Sequence, residues 1–276
     1  MTNRALSPKI LFTDLDGTLL DDRKEIGAEN RAAIHRALLA GHKIVITTGR
    51  ALSSAAKLCE ELRLTSKGCY AICFNGAVIY DSYEKKVIFE RTLSHAFVRR
   101  LFDEAKQANL HIQTYAGTDV LCENPSKNLD EYIAQVHMGK KIVPDVIREL
   151  GSQEPPKVLM IGEHDQLEAF RLSSFSWREG KIDSLFSCPR YLEFIPHGVS
   201  KGNSLKILCD LLGFPLSCTI AAGDAENDLS MIQAAHTGVV MANASEEMKS
   251  CADYVTTRDN NHGGIAEIIE RFMLCR

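Results

Sequence analysis

The sequence has no apolar run long enough to span a bilayer, and residues 1–8 lack the charged-then-apolar pattern of a secretion signal. These absences predict a cytoplasmic protein that does not bind membranes. None of its nine cysteines forms a C-x-x-C pair, and none of its nine histidines forms an H-E-x-x-H pattern. We therefore expect reduced thiols without a disulfide framework, and no zinc site.

Clustered positive charge is also missing, because the formal net charge is -4 and the Lys and Arg residues are dispersed. A nucleic-acid-binding surface needs a basic stripe, so no nucleic acid is expected as a partner. The chain has 276 residues and is 45% hydrophobic, which is ordinary for a globular protein and leaves room for two domains.

The most informative stretch begins with a short apolar run, Ile10 to Thr13, which has the length and residue types of a buried strand. It ends in Asp14-Leu15-Asp16-Gly17. Two carboxylates one residue apart repel each other unless a cation or a shared proton offsets the repulsion. The stretch therefore predicts a metal site or an acid–base pair, and by itself it is equally typical of an Asp-Gly hairpin turn.

The order of apolar runs and helical spacings predicts an α/β fold with a Rossmann-like parallel sheet. Strand, helix and strand patterns occupy residues 1–83 and return from Tyr191 to the end. Between them, shorter runs alternate with helical stretches and prolines, as in a small α+β domain. We predict a discontinuous core, residues 1–83 and 190–276, with an inserted α+β cap over residues 84–189.

Reactive side chains follow three of the apolar runs, and the carboxyl ends of parallel strands meet at one edge of a sheet. These groups are Asp14 with Asp16, Thr48-Gly49-Arg50, and Asp224 with Asp228. Four carboxylates without soft ligands favour Mg²⁺. A hydroxyl, the Lys201 ammonium and the amides of glycine turns suit a phosphoryl group, and a carboxylate can act as nucleophile on phosphorus.

Each of these residues is also compatible with a purely structural role. Thr48-Gly49 is typical of a turn that ends a strand, and Asn227 and Asp228 are typical of a helix cap and first turn. Asn75 is more typical of a turn than of a ligand. The four patterns occur in order on one predicted sheet edge, which favours a common site.

The motifs Asp14-Leu15-Asp16-Gly17-Thr18-Leu19, Thr48-Gly49-Arg50, Lys201 and Gly223-Asp224-x-x-Asn227-Asp228 resemble the four motifs of the haloacid dehalogenase superfamily. The insert lies between the second and third motifs, which resembles the Cof-type subfamily IIB with its C2B cap. This resemblance implies a HAD-like core and a phosphoric monoester hydrolase.

The resemblance also implies roles. Asp14 would be the nucleophile that takes the phosphoryl group from a small phosphorylated metabolite, most simply a sugar phosphate, and forms an aspartyl-phosphate. Asp16 would act first as the acid that protonates the leaving oxygen and then as the base that activates water. Mg²⁺ would be held by the Asp14 carboxylate, the Asp16 backbone carbonyl and Asp224, with Asp228 in or just behind the inner shell. The phosphate would be bound by Thr48, Lys201 and Asn227 with the amides of Leu15 and Gly49.

Two other functions fit the same residues. A sugar phosphomutase would use the same core with a second phosphate pocket. A non-catalytic sensor of phosphorylated metabolites would keep the binding residues, although the acid at Asp16 argues against it. The sequence indicates neither the substrate nor the oligomeric state.

Overall fold

The structure is a computed structural model that describes residues 8–136 and 138–275. It contains two compact units. The first consists of the described residues of Met1–Gly49, Ala55–Ile88 and Ser200–Arg276, and the second of those of Arg50–Ser54 and Phe89–Val199. The first unit is therefore discontinuous in sequence. Among the described helices, none combines the length and the apolar composition that crossing a bilayer requires.

Eight strands form one sheet. They are β1 (Ile10–Thr13), β2 (Lys43–Thr47), β3 (Tyr70–Cys73), β4 (Val78–Asp81), β5 (Lys86–Glu90), β12 (Thr219–Gly223), β13 (Thr237–Val240) and β14 (Tyr254–Val255). Their order is β14-β13-β12-β1-β2-β3-β4-β5. β1 is central and pairs in parallel with β12 and β2, and all of its residues are buried. A strand covered on both faces needs an unbroken apolar run, which explains Ile-Leu-Phe.

The helices that belong to the first unit, wholly or in part, alternate with these strands. They are α1 (Ala28–Leu39), α2 (Leu52–Glu61), α8 (Lys201–Leu212), α9 (Leu229–Ala234), α10 (Glu246–Lys249) and α11 (Gly264–Ile269). The Ser200 side chain caps α8 by accepting from the Asn203 amide at 3.1 Å. Gly213 ends α8 in the left-handed conformation. These caps place Lys201 at the first position of α8.

The second unit has its own six-stranded sheet. Its strands are β6 (His111–Ala116), β7 (Asp119–Cys122), β8 (Gly139–Ile142), β9 (Val158–Ile161), β10 (Ile182–Cys188) and β11 (Tyr191–Pro196), in the order β10-β11-β9-β6-β7-β8. Its helices are α3 (His95–Gln107), α4 (Lys127–Val136), α5 (Val146–Leu150), α6 (His164–Ser173) and α7 (Phe175–Arg178). One cluster of buried residues, including Val98, Leu121 and Phe194, forms its core.

The α/β architecture with a parallel central sheet is confirmed, but the strand Tyr191–Pro196 was assigned to the wrong sheet. It pairs antiparallel with β10 and β9 in the second unit, where Glu193 lies opposite Leu159. The second unit consequently extends to Val199. At the other boundary, β5 neighbours β4 in the first sheet, so the change of unit comes after Ile88 rather than after residue 83.

Candidate active site

Asp14 follows the central strand directly. Its backbone amide donates to the Ala222 carbonyl at 2.9 Å, which continues the pairing of β1 with β12 past the strand end. In the parallel register Thr13 lies opposite Ala222, so the segments that leave β1 and β12 begin side by side. This register explains how Asp14 and Asp224 come together although most of the chain separates them.

Three carboxylates meet at this end of the sheet. Asp14, Asp224 and Asp228 each offer an oxygen, and these oxygens all lie within 4.8 Å of one another. Asp14 is only 7% exposed and Asp228 is fully buried. Buried like charges at this separation need a compensating cation.

Lys201 supplies part of that compensation. Its ammonium donates to Asp14 Oδ1 at 2.5 Å and to Asp228 Oδ1 at 2.5 Å. The side chain is fully buried. Burial alone would lower the pKa of Lys201, but the two carboxylates outweigh it and raise this pKa above its ordinary value. Lys201 is therefore charged, although it lies at a helix N-terminus, where the dipole disfavours a cation.

Asp228 is bound at both of its oxygens. Besides Lys201 on Oδ1, the backbone amides of Asp224 and Ala225 donate to Oδ2 at 3.0 and 3.1 Å. The carboxylate thus fixes the turn after β12 on which Asp224 stands. Gly223 permits this approach, because a Cβ there would lie 2.4 Å from the Asp228 Cβ.

Asp224 is bound by residues of the segment that follows β1. The Thr18 hydroxyl donates to Asp224 Oδ1 at 2.7 Å. The backbone of Gly17 lies against the same carboxylate, and a Cβ on Gly17 would lie 2.4 Å from Asp224 Oδ2. Gly17 also has a φ of +78°, a left-handed conformation that favours glycine. The Asp-Gly pair thus makes a turn and also borders the carboxylate cluster.

The electrostatics of the cluster indicate that Lys201 alone does not neutralise its three carboxylates. Burial, followed by repulsion from Asp228, raises the pKa of Asp14 to about 8 against the opposing effect of Lys201. Burial also raises the pKa of Asp224 to about 6, although the Thr18 hydroxyl acts in the other direction. All three side chains offer hard oxygen donors, so the residues fit a divalent cation of the Mg²⁺ type.

Asp16 lies outside this group of three carboxylates in the described residues. Its carboxylate is partly exposed and accepts from the Lys24 ammonium at 2.8 Å. Lys24 stands in a left-handed conformation with a φ of 64° and follows the turn after β1. The sequence does not predict this contact of Lys24, because a lysine close to the first motif is the only indication of it.

The predicted phosphate-binding residues lie on neighbouring turns. The Thr48 amide donates to the Ile72 carbonyl at 2.8 Å, and the Thr48 carbonyl accepts from the Asn75 amide at 3.0 Å. The Asn227 side chain donates to Asn75 Oδ1 at 3.1 Å. Leu15 is buried, and its carbonyl accepts from the Leu20 amide at 2.8 Å, which closes the turn after β1.

The geometry thus joins the segments that carry the four motifs. Asp14, Lys201, Asp224 and Asp228 are in one cluster, and Asn75 connects the Thr48 segment to Asn227. Asn75 and Thr18 were missed as site residues. The signal for Asn75 was its place after an apolar strand and before a glycine, the same pattern that marks the other motifs.

Comparison with known proteins identifies a family for this chain. A profile of the haloacid dehalogenase-like hydrolases matches residues 11–269. The chain is 31% identical to the 5-amino-6-(5-phospho-D-ribitylamino)uracil phosphatase YcsE of Bacillus subtilis, over 96% of each protein.

Solved structures are similar over nearly the full length as well. A haloacid dehalogenase-like hydrolase from Bacteroides thetaiotaomicron has a TM-score of 0.89 and 33% identity, with 96% of this chain and 99% of that chain covered. A HAD subclass IIB sugar phosphatase has a TM-score of 0.81 and 23% identity over 97% of this chain and 100% of its own, a likeness of fold. Sequence and fold therefore agree that this chain belongs to the haloacid dehalogenase-like hydrolase family, and it is a phosphatase.

Proposed function

We propose that the protein is a Mg²⁺-dependent phosphatase that hydrolyses small phosphorylated metabolites, sugar phosphates first among them, through an aspartyl-phosphate on Asp14. The observation that carries this proposal is the group of three carboxylates at the end of the central strand, of which the two buried ones, Asp14 and Asp228, bond Lys201. A nucleophile for phosphorus and a compensated negative cluster are what phosphoryl transfer requires.

The metal would be held by the carboxylates of Asp14 and Asp224 and by the backbone carbonyl of Asp16. We place Asp228 behind these ligands, because three N–H donors already occupy its two oxygens. In this position Asp228 orients Lys201 and the turn that carries Asp224. When bound, Mg²⁺ would neutralise charge on the carboxylates and on the phosphoryl oxygens.

In the first step an Asp14 oxygen attacks phosphorus, the ester P–O bond breaks, and Asp16 gives its proton to the leaving oxygen. In the second step Asp16, now a carboxylate, takes a proton from water as the water oxygen bonds to phosphorus. The P–O bond to Asp14 then breaks, which releases phosphate and restores the Asp14 carboxylate. The Asp16 side chain is partly exposed, so solvent reaches the carboxylate that is assigned to activate the water.

The remaining motif residues would bind the phosphate. Lys201 already contacts Asp14 Oδ1, so its charge lies beside the group to which phosphorus would be transferred. We assign the Thr48 hydroxyl, the Asn227 amide and the backbone amides of Leu15 and Gly49 to the phosphoryl oxygens.

The substrate class follows from the relatives and remains part of the proposal. The Bacillus subtilis relative is named for a compound whose phosphate is on a ribityl chain. A phosphate on a sugar or polyol chain is therefore the first class to test. Under this proposal the second unit is the cap, and it selects the substrate.

The test is phosphate release from a panel of phosphorylated sugars, polyols and nucleotides, with Mg²⁺ or with EDTA. We expect Mg²⁺-dependent release that falls by more than about a thousandfold in Asp14→Asn, because the nucleophile is lost. Asp210→Asn, which changes an exposed carboxylate of α8, is the matched control and should keep full activity. Turnover retained by Asp14→Asn, or isomerisation of a sugar phosphate without free phosphate, would contradict the proposal.

A further inference from the structure

The turn that follows β3, residues Phe74–Gly76, has an unusual backbone. Phe74 and Asn75 have φ angles of 50° and 55°. These lie in the left-handed region, which residues other than glycine and asparagine rarely adopt. Asn75 is also buried, with 1% of its surface exposed. The conformation is costly for Phe74, and the polar Asn75 beside it is buried, so we expect a constraint on this turn from its neighbours.

Those neighbours are two segments that carry motifs. The Asn75 amide donates to the Thr48 carbonyl at 3.0 Å. On the side chain, Oδ1 accepts from Asn227 Nδ2 at 3.1 Å. The carboxamide also covers Gly49, where a Cβ would lie 3.0 Å from the same Oδ1. One residue therefore fixes the segment after β2 against the segment after β12.

The next residue of the turn reaches a third segment. A Cβ on Gly76 would lie 2.5 Å from the Ser200 carbonyl oxygen. The Ser204 hydroxyl donates to the Gly76 carbonyl at 2.7 Å. Ser200 caps the helix that begins with Lys201. The turn after β3 thus contacts the start of α8 as well as the two segments that Asn75 joins.

We propose that Asn75 is a positioning residue for phosphate binding: it orients the Asn227 amide and supports the Gly49 peptide, both of which the proposed function assigns to the phosphate. The Asn227 amide group has two N–H donors. One of them binds Asn75 Oδ1, which fixes the plane of the amide and so the direction of the other. This inference rests on the proposed function.

The substitution Asn75→Gly tests the side chain without straining the backbone, because glycine adopts the left-handed conformation readily. Asn109→Gly is its matched control, since Asn109 has a φ of 53° and is exposed. With a Mg²⁺-loaded enzyme, we expect Asn75→Gly to raise KM about tenfold with kcat within about threefold of wild type, because phosphate is bound in ground and transition states alike. The control should change neither constant.

Coupling to Asn227 separates positioning from a general loss of structure. In an Asn227→Ala background, Asn75→Gly should raise KM by only about threefold, because the amide that it orients is absent and only its support of the Gly49 peptide remains. An equal loss in both backgrounds, or a fall in kcat at constant KM, would overturn the inference.

A second readout does not depend on turnover. In protein labelled with ¹⁵N-asparagine, the side-chain amide signals of Asn227 should move in Asn75→Gly and stay in place in Asn109→Gly. A wild-type protein without turnover would contradict the proposed function alone, since these signals still report on the contact. Should Asn75→Gly fail to fold, hydrogen exchange in the wild-type protein replaces it, and an Asn227 side-chain amide that exchanges as fast as that of the exposed Asn109 would overturn the inference.

Discussion

At the scale of single residues, the carboxylate cluster depends on positions where a side chain has no room. Gly17 is the clearest case, because its α-carbon lies against Asp224 while its φ is +78°. Any other residue there would have to displace the Asp224 carboxylate and adopt a left-handed backbone conformation. The glycine of the first motif is therefore required by the carboxylate of another segment as well as by its own turn.

We expect Gly17→Ala to displace the Asp224 carboxylate, since the added Cβ would lie 2.4 Å from its oxygen. Mg²⁺-dependent phosphate release should fall by about a hundredfold or more, and calorimetry should show weaker Mg²⁺ binding. Gly27→Ala is the control, because a Cβ at Gly27 meets nothing within 4 Å and its φ is −57°. Equal activity in the two variants would contradict the prediction, because it would show that the contact between Gly17 and the Asp224 carboxylate does not affect phosphate release.

Part of this residue-level organisation was predictable from the sequence. Asp14, Asp224 and Asp228 were expected at one sheet edge, and their oxygens do cluster. Lys24 and Asn75 were not selected, because the bond from Lys24 to Asp16 and the contact of Asn75 with Asn227 depend on the paths of turns. Periodicity predicts where a strand ends and does not predict the path of the turn that follows.

At the scale of elements, a pair of charges is buried between two strand segments of the second sheet. Lys157, just before β9, bonds Glu193 of β11 at 3.1 Å, and the two side chains are only 3% and 5% exposed. The Lys157 ammonium also lies 5.3 Å from the centre of the Tyr115 ring, within the range of a cation–π contact. The sheet register, with Glu193 opposite Leu159, brings the two charges onto one face.

Lys157→Met should destabilise the protein by about 3 kcal/mol, because it removes the ammonium group that bonds the buried Glu193 carboxylate. The double variant Lys157→Met/Glu193→Leu should recover most of this loss, since neither charge remains. Thermal unfolding followed by circular dichroism is the measurement. A double variant that is less stable than Lys157→Met would contradict this reading of the pair.

The strands of the second sheet show what the sequence pattern does not predict, namely the sheet to which a strand belongs. The strand Tyr191–Pro196 was assigned to the core because its apolar run resembles a buried parallel strand. Its charged member, Glu193, has its partner on a segment that precedes it by more than thirty positions. Short strands such as Gly139–Ile142, whose residues are all exposed, have no apolar signal. Pairing partners, rather than residue types, decide these assignments.

At the scale of the whole molecule, the carboxylate cluster links stability to pH and, under the proposed function, to metal binding. The pKa of Asp224 rises from 3.8 to about 6 and that of Asp14 from 3.8 to about 8 on folding, with burial as the main cause. The metal-free folded state therefore holds more protons than the unfolded state above pH 3.8. The contribution of each group to stability is therefore complete below pH 3.8, falls as the pH rises towards the folded pKa, about 6 for Asp224 and about 8 for Asp14, and is lost above it.

We expect the melting temperature in EDTA to decrease between pH 5 and pH 8, and the stabilisation by saturating Mg²⁺ to increase over the same range, because the cation competes with protons. Differential scanning fluorimetry at constant ionic strength measures both. Asp224→Asn should flatten the EDTA profile and reduce the Mg²⁺ effect. A Mg²⁺ effect that is the same at pH 5 and pH 8 would contradict this linkage.

The parallel central sheet has a consequence for synthesis on the ribosome. The pairing of β1 with β12 joins two strands that are far apart in the sequence, and the Thr18–Asp224 bond spans 206 positions. At elongation rates of about 5–20 residues per second, one edge of β1 has no pairing strand for roughly 10 to 40 seconds, until β12 has been synthesised. During that time the nascent polypeptide exposes an apolar strand edge, and it has no assembled carboxylate cluster until Asp228 has been synthesised.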